Sequence, residues 1–333
     1  MTEQPVPDLS PLPELKVTWV HNTPREGNMF LWDVLEAIPD RIKIDEIIVS
    51  LRPTIRSVFE QIKQIKAAAR HAHVVHAQFG SLVGMLASFT SRPFVLSLRG
   101  TDFYVMPSTT VLGRIDARLR QVLTYIACLR ADVIVVMSRR MRRELRRWPL
   151  MKRRRIVVMT DPIGDEFLDK DITRQLNLKK GRPLTIFIGS LSASNPIKRV
   201  WLIQKAADIC NRAGIPVELN VISGMPRQAV KEAMRKSDVM ALASTHEGWP
   251  NIVKEGQALG LPFIATDVSD LAELCFPGSP NRLVEADELD IALAIVDAFA
   301  FRETQKTESS IFPQVVALKH EVMYEFVSPG EST

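Results

Sequence analysis

Short apolar runs rich in β-branched residues alternate along the chain with segments of helical periodicity. The runs are KVTWVHN, DEIIVSL, HVVHAQF, PFVLSLRG, ADVIVVMS and RIVVMTD, followed by PLTIFIGS, VELNVIS, DVMALAS, PFIATDV and NRLVEAD. Residues 54–72 and 198–214 are examples of the helical segments between them. Continuous apolar strands that alternate with helices are typical of parallel sheets covered on both faces. Two such series predict two doubly wound α/β domains.

The boundary between these domains is predicted in a polar, turn-rich stretch from Asp161 to Arg182. A chain of 333 residues is long enough for two domains. We expect a first domain over residues 1–165 and a second over 166–311, with the tail 312–333 packing back on the first. Ligands of such sheets bind beyond the carboxyl ends of the strands. The sequence therefore predicts a site in a cleft between two facing sheets.

The composition, with 46% hydrophobic and 24% charged residues, is that of a globular protein. The sequence contains no run of about 18 consecutive apolar residues, so no membrane-spanning helix is expected. The opening MTEQPVPDLSPLPELK has neither the basic end nor the apolar run of a secretory signal, so a cytoplasmic location is expected. The three cysteines lie far apart and form neither a metal-ligand spacing nor a disulfide framework; they are Cys128, Cys210 and Cys275.

The segment STHEGWPNIVKEGQALGLPFIATDV has the clearest chemistry. Pro250 suits the first helical position, and Asn251–Gly260 is predicted to form a helix that follows a strand and a turn. Glu247 lies in the turn and Glu255 on the helix. A helix N-terminus binds phosphate, and carboxylates accept hydrogen bonds from sugar hydroxyls. The segment therefore predicts a site for a sugar joined to a phosphate.

The two acids and the GWPNIVKEG around them closely resemble the donor-binding motif of retaining glycosyltransferase family 4. Members of that family have the GT-B fold, two facing Rossmann-like domains. The resemblance implies that Glu255 holds the ribose of the nucleotide and that Glu247 lies near the transferred hexose. It also implies contacts to the diphosphate from the residues between the two acids, here Gly248, Asn251, Ile252 and Val253.

The segment IFIGSLSASNPIKRV agrees with this resemblance, because the family has a basic pair for the diphosphate in this loop. Lys198 and Arg199 match that pair. Ser190 stands directly after the strand glycine, where the family often has an arginine, and Arg199 is a candidate substitute for that contact. In the following loop VISGMPRQAV, Gly224 is a candidate neighbour of the nucleobase.

The first domain has the segments VVHAQFG and LSLRGTDF, which resemble landmarks of the family. Arg99 replaces a histidine that lies close to the reacting sugar in many relatives. Arginine stays protonated and is no general base, but it suits an acceptor phosphate or the charge of the leaving diphosphate. Asp102 is predicted either to act at the site or to cap the turn. The remaining acceptor-side candidates are Gln78, Gly27 and Asn28.

A basic segment between Arg139 and Arg155 contains ten lysines and arginines and one acid, Glu144. An apolar stripe recurs within it at helical spacing, formed by Met141, Leu145 and Trp148. One interpretation is a helix that lies on an anionic membrane surface. Another is a helix that packs its stripe on the sheet and solvates its arginines. Nucleic acid is the least favoured partner, because no aromatic platform accompanies the charge.

The resemblance implies retaining transfer of a hexosyl group from a UDP-, GDP- or ADP-sugar to a saccharide or lipid-linked acceptor, in polysaccharide or glycoconjugate synthesis. No cofactor and no bound metal are expected. The sequence has no GxGxxG or Walker A motif, which argues against a dehydrogenase or an NTPase. Two alternatives remain, a nucleotide-sugar epimerase on the same fold and a non-catalytic relative that binds a nucleotide or a saccharide. The departures at Arg99 and Ser190 keep the second alternative open.

Overall fold

The chain divides into two compact units, and the division falls between Pro162 and Ile163. The structure, a computed structural model, describes residues 14–23, 29–50, 54–100, 102–104, 110–167, 182–190 and 195–304. Each unit contains one parallel sheet, and all eleven strands predicted from the apolar runs are present. The prediction of two doubly wound α/β domains is confirmed. The tail 312–333 lies outside the described residues.

The first unit is built on six strands, β1 (Leu15–His21), β2 (Ile42–Ile48), β3 (Val74–Ala77), β4 (Phe94–Leu98), β5 (Val133–Val136) and β6 (Ile156–Val158). Its helices are α1 (Met29–Ala37), α2 (Ile55–Ala69), α3 (Ser81–Ala87), α4 (Val111–Arg130) and α5 (Arg139–Leu145). The strand order is β2-β1-β3-β4-β5-β6, and every pairing is parallel. A small apolar cluster packs α1 on β1 through Leu31, Val17 and Trp19.

The second unit is built on five strands, β7 (Leu184–Gly189), β8 (Val217–Ile222), β9 (Val239–Leu242), β10 (Phe263–Thr266) and β11 (Arg282–Val284). Its α-helices are α6 (Val200–Arg212), α7 (Arg227–Lys236), α8 (Asn251–Ala258) and α9 (Glu288–Thr304). The strand order is β11-β10-β9-β7-β8, again with parallel pairings. Successive side chains of a strand point to opposite faces. Ile186 and Ile188 accordingly pack with α6 and α9, whereas Phe187 packs with α7 and α8.

Both sheets reverse their strand order next to the first strand. β1 lies between β2 and β3, and β7 lies between β8 and β9. At such a switch point the loops that follow two neighbouring strands diverge, and the crevice that they leave is the usual ligand site of an open parallel sheet. In the second unit this crevice lies at the carboxyl ends of β7 and β9. The loops that follow these strands contain Lys198 and Glu247.

None of the helices in the described ranges is both long enough and apolar enough to cross a bilayer.

Candidate functional site

Helix α8 is held close to the sheet by two glycines. A Cβ atom on Gly189, at the end of β7, would lie 2.6 Å from Cδ1 of Ile252. A Cβ atom on Gly256 would lie 1.7 Å from Cε of Met240 in β9. Val253, on the buried face of α8, is fully buried against the sheet. This packing brings the first turn of α8 to the switch point of the second sheet.

The N-terminus of α8 differs in one detail from the prediction. Pro250 is the N-cap residue rather than the first helical residue, and it makes no side-chain cap. The carbonyl of Pro250 accepts hydrogen bonds from the N–H groups of Val253 and Lys254 at 3.1 and 3.3 Å. Asn251 and Ile252 are the first two residues of the helix, so the helix has no backbone carbonyl in position to accept a hydrogen bond from their N–H groups. These two amides are therefore better placed than Val253 for a phosphate.

Glu247 lies in the loop after β9 and contacts both the loop after β7 and a serine of its own loop. Its Oε1 atom forms an ion pair with Nζ of Lys198 and accepts a hydrogen bond from Oγ of Ser244 at 2.7 Å. The carbonyl of Ser244 in turn accepts a hydrogen bond from Oγ1 of Thr266 at 2.6 Å. Two predicted site residues from distant parts of the sequence, Lys198 and Glu247, thus meet at the switch point.

Arg199 has a different environment from Lys198. Its Nε atom donates to the carbonyl of Ala243 at 2.6 Å, and its Nη2 atom donates to the carbonyl of Ser244 at 3.1 Å. The residue adopts a left-handed conformation with a φ of 45° directly before α6, which is uncommon for a residue other than glycine. Burial lowers the pKa of Arg199, although an arginine remains protonated. The guanidinium supports the loop after β9, and its contact with a diphosphate stays a prediction.

Glu255 lies on α8 beside an arginine that sequence reasoning missed. Oε1 of Glu255 is 3.7 Å from Nη2 of Arg227, the first residue of α7. Nε of the same arginine lies 2.6 Å from Oε1 of Glu166, and its guanidinium stacks 5.2 Å from the ring centroid of Phe167. Arg227 lies within the segment VISGMPRQAV that the resemblance places near the nucleobase, but only Gly224 is predicted from that segment. The position of Arg227 just after the carboxyl end of β8 is the signal that could have found it.

The other donor-side candidates surround this crevice. The carbonyl of Gly248 accepts a hydrogen bond from Oγ of Ser269 at 2.7 Å, and Ser269 has a strained φ of 56°. Gly224 has a φ of 64°, and apart from its chain neighbours no atom of the described residues lies within 4 Å of the position that its Cβ would take. The backbone N–H of Ser190 donates to the carbonyl of Ile222 at 3.0 Å, which continues the pairing of β7 with β8.

Arg99 stands at the carboxyl end of the first sheet and is neutralised there. Its Nη1 atom forms an ion pair with Oδ1 of Asp161, and the side chains are only 7% and 11% exposed. Its Nε and Nη2 atoms donate to the carbonyl and to Oε1 of Gln78 at 3.1 and 2.6 Å. Gln78 is buried, and among the described residues its Nε2 atom has no hydrogen-bond partner. Asp161 was not predicted as a site residue, although it follows β6 at the same sheet edge as Arg99.

Asp102 holds two turns of the first unit together. Its Oδ1 atom accepts hydrogen bonds from the N–H groups of Arg99 and Gly100, each at 3.0 Å. Its Oδ2 atom accepts from the N–H of Gly80 at 2.6 Å, directly before α3. Desolvation raises the pKa of the buried carboxyl, and these backbone donors oppose that rise. The contacts favour the capping interpretation of Asp102.

The basic segment folds as α5 and the turns after it. Met141 and Leu145 are fully buried, and Trp148 stacks on Phe103 with ring centroids 5.1 Å apart. The apolar stripe of α5 therefore packs on its own domain, as the second interpretation of the segment predicts. Most of the cations around the stripe remain exposed.

Within the described ranges no three His, Cys, Asp or Glu side chains cluster in a way that could hold a metal ion. Gly27 and Asn28, the remaining acceptor-side candidates, lie outside the described residues.

Comparison with known proteins identifies the same two regions. A family model described as a glycosyl transferase 4-like domain matches residues 11–160, and a model of group 1 glycosyl transferases matches residues 220–300. A Bacillus subtilis (strain 168) protein named as teichuronic acid biosynthesis glycosyltransferase TuaC is 24% identical in an alignment of 231 residues that covers 64% of this chain. The match spans 58% of the length of TuaC.

Solved structures show the fold independently of the sequence. The sucrose-phosphate synthase from Thermosynechococcus elongatus superposes with a TM-score of 0.64 at 14% identity, covering 94% of this chain and 95% of that one. Anabaena HepE, solved in complex with UDP and glucose, superposes with a TM-score of 0.60 at 17% identity, covering 95% and 100%. The two switched parallel sheets and these likenesses define a GT-B protein. The two family models and the similarity to TuaC together support a GT-B glycosyltransferase of the family 4 type.

Proposed function

We propose that the chain transfers a hexosyl group, with retention of the anomeric configuration, from a nucleoside-diphosphate sugar to a hydroxyl acceptor. The observation that supports this most is the arrangement at the second switch point. There, Lys198 and Glu247 meet beside the first turn of α8, while Glu255 lies further along the same helix. HepE, a structural neighbour, was solved with UDP-glucose, which supports a uridine diphosphate sugar as the first donor to test.

The proposed donor has three chemically distinct parts, and the crevice offers a group for each. The diphosphate is an anion and suits the ammonium of Lys198 together with the N–H groups of Asn251 and Ile252. The ribose hydroxyls are donors and suit the carboxylate of Glu255. The hexose hydroxyls suit Glu247 in the same way.

The proposed reaction needs no protein nucleophile. The bond between the anomeric carbon and the β-phosphate oxygen breaks, and the acceptor oxygen forms a new bond to that carbon on the same face. The acceptor proton passes to the departing phosphate oxygen, and Lys198 stabilises the negative charge that develops there. Arg99, which is paired with Asp161, is assigned no proton transfer.

The proposed acceptor is a saccharide or a lipid-linked saccharide of a surface polysaccharide or glycoconjugate, and the proposed place of action is the cytoplasmic face of the membrane. TuaC, the curated relative, is named for teichuronic acid biosynthesis, which supports a polysaccharide product. The exposed cations of the basic segment support a nearby anionic surface.

The direct experiment measures release of nucleoside diphosphate from a panel of UDP-, GDP- and ADP-sugars, first without and then with saccharide acceptors. We expect slow release of the nucleotide from one donor alone and faster release with an acceptor, together with a product of retained configuration by NMR. Binding without release would identify a non-catalytic relative instead. Conversion of the donor sugar to an epimer without transfer would identify an epimerase.

A further inference from the structure

Within the described part of the chain, an apolar stripe on helix α4 remains exposed. The stripe consists of large aliphatic residues that are each between 52% and 79% exposed, namely Val111, Leu112, Ile115, Leu119 and Val122. Their spacing places them on one face of the helix. The opposite face packs on the domain through Ala117, Thr124, Ala127 and Cys128. We call these five exposed residues the α4 stripe.

The α4 stripe is continuous with the basic segment. Tyr125, one turn beyond Val122, donates a hydrogen bond from its hydroxyl to the carbonyl of Pro149 at 3.2 Å, and its ring lies 5.9 Å from that of Trp148. Leu150, the next residue after Pro149, is 65% exposed and has a φ of 63°, a conformation that is uncommon for leucine. The exposed apolar surface thus extends from α4 to the turn after α5.

Exposed cations lie beside this apolar surface. On α4 itself, Arg114 and Arg118 are exposed and, by their helical spacing, lie on the same edge as Tyr125. The exposed cations of the basic segment are Arg139, Arg143, Arg146, Arg147, Lys152, Arg153 and Arg155. Glu144, the single acid of that segment, accepts a hydrogen bond from the hydroxyl of Tyr104 at 2.7 Å and lies 3.5 Å from Nε of Arg140.

We propose that the α4 stripe inserts into the interface of an anionic lipid bilayer while the neighbouring cations bind the lipid headgroups. An apolar helix face flanked by basic residues is the arrangement that binds such an interface. A symmetric contact between two copies through this face would bring two groups of like charges together, so a second copy is the poorer occupant. The stripe of α5 cannot insert in its place, because Met141 and Leu145 are buried in the domain core.

This inference rests on the proposed function only for its choice of a membrane-bound acceptor. It differs from the interpretation of the basic segment in which α5 itself lies on the membrane surface. The cations of α5 attract the surface, and α4 supplies the apolar contact. Every residue of the proposed surface belongs to the first unit, whereas the donor crevice is described in the second.

The test is flotation of the full chain with vesicles of equal parts phosphatidylglycerol and phosphatidylcholine, and with phosphatidylcholine alone. The wild type should float with the anionic vesicles only. Ile115→Ser combined with Leu119→Ser should lower the partition coefficient at least roughly tenfold, since each large aliphatic side chain contributes substantially when it leaves water. The matched control is Phe59→Ser, which removes an apolar residue that is 68% exposed on α2, and it should float like the wild type.

A second measurement locates the inserted helix directly. Leu119→Trp should gain fluorescence that brominated lipids quench on binding, whereas the added fluorescence of Phe59→Trp should not be quenched. Nucleotide affinity and slow donor hydrolysis in solution are measured for every variant, so that a failure of the donor site is distinguished from a failure of docking. Equal flotation of the wild type and the double variant would overturn the proposal, and so would absence of quenching at position 119. A wild-type dimer in light scattering that the same two substitutions dissociate would also overturn it, because a second copy would then occupy the stripe.

Discussion

Lys198 and Glu247 form an ion pair across two loops at the switch point of the second sheet, although they are 49 positions apart in the sequence. The lysine expected to bind the diphosphate is thus neutralised by the carboxylate expected to bind the hexose. A bound nucleotide sugar would offer each of them a new partner, a phosphate for the cation and a hydroxyl for the anion. In the proposed binding mode, the pair therefore links recognition of the two halves of the donor.

Glu247→Gln separates the two expected roles of Glu247, which are to neutralise Lys198 and to bind the hexose. The substitution removes a negative charge beside the proposed diphosphate and leaves Lys198 without its anionic partner. We expect an affinity for the free nucleoside diphosphate that is equal or higher, and a transfer rate that falls by roughly a hundredfold or more because the charge and orientation of the carboxylate at the hexose are lost. Calorimetry and turnover measurements on the same preparation give both values. Ser244→Ala, which removes the other donor to Oε1, is the control and should change both only slightly.

Arg227 is expected to orient Glu255 towards the ribose. Arg227→Ala removes its contacts with Glu255 and Glu166 and should weaken binding of the nucleoside diphosphate roughly tenfold. Binding of inorganic pyrophosphate, which has no ribose, should be unchanged, whereas Lys198→Ala should weaken both ligands. Lys236→Ala, an exposed position at the other end of α7, is the matched control. An equal loss of both ligands in Arg227→Ala would mean that the arginine acts on the phosphates.

Asp102 is expected to contribute to stability rather than to chemistry. Asp102→Asn weakens the acceptor of three backbone N–H groups in a buried turn, so the free energy of unfolding of the first unit should fall by about 1–3 kcal/mol. Urea titration measures this change, and Asp40→Asn, at an exposed position, is the control. The affinity for the nucleoside diphosphate should not change. A lower transfer rate with undiminished stability would instead assign Asp102 to the acceptor site.

His76 should make the first unit sensitive to mild acid. Burial and the neighbouring cation of Arg99 lower the pKa of His76 to about 3, from an ordinary value of 6.5. Between these two pH values the unfolded chain binds a proton that the folded chain excludes, so the stability present above pH 6.5 is lost as the pH falls towards 3. Urea titrations across this range should show a shallower loss for His76→Gln than for the wild type. His71→Gln, at an exposed position, should reproduce the wild-type slope.

The strands and the main site segment could be predicted from the sequence because they depend on local pattern. Each apolar run is as long as one buried strand, and the turn, proline and helix around Glu247 and Glu255 are encoded within about a dozen residues. For Lys198 and Glu247, the sequence could predict that both residues lie near the donor but not that their side chains form an ion pair. Its geometry depends on the strand order, which places β7 directly beside β9.

The side-chain partners in the first unit could not be predicted for a related reason. Arg99 and Asp161 are 62 positions apart, and only the adjacency of β4, β5 and β6 brings the two sheet ends together. A cation in a site segment suggests an anionic ligand, but the fold supplies an internal carboxylate. The α4 stripe was missed because exposure, unlike periodicity, depends on which face of a helix the rest of the domain covers.

The most direct test of the donor site is calorimetric titration of wild type and Glu255→Ala with the nucleoside diphosphate that a thermal-shift screen of UDP, GDP, ADP and their sugars selects. The wild type is expected to bind this ligand, and Glu255→Ala should weaken binding at least roughly tenfold, because a charged hydrogen-bond acceptor is lost. Glu218→Ala, which removes an exposed acid from β8, should bind like the wild type. An unchanged affinity in Glu255→Ala would contradict the assignment of the donor site to α8.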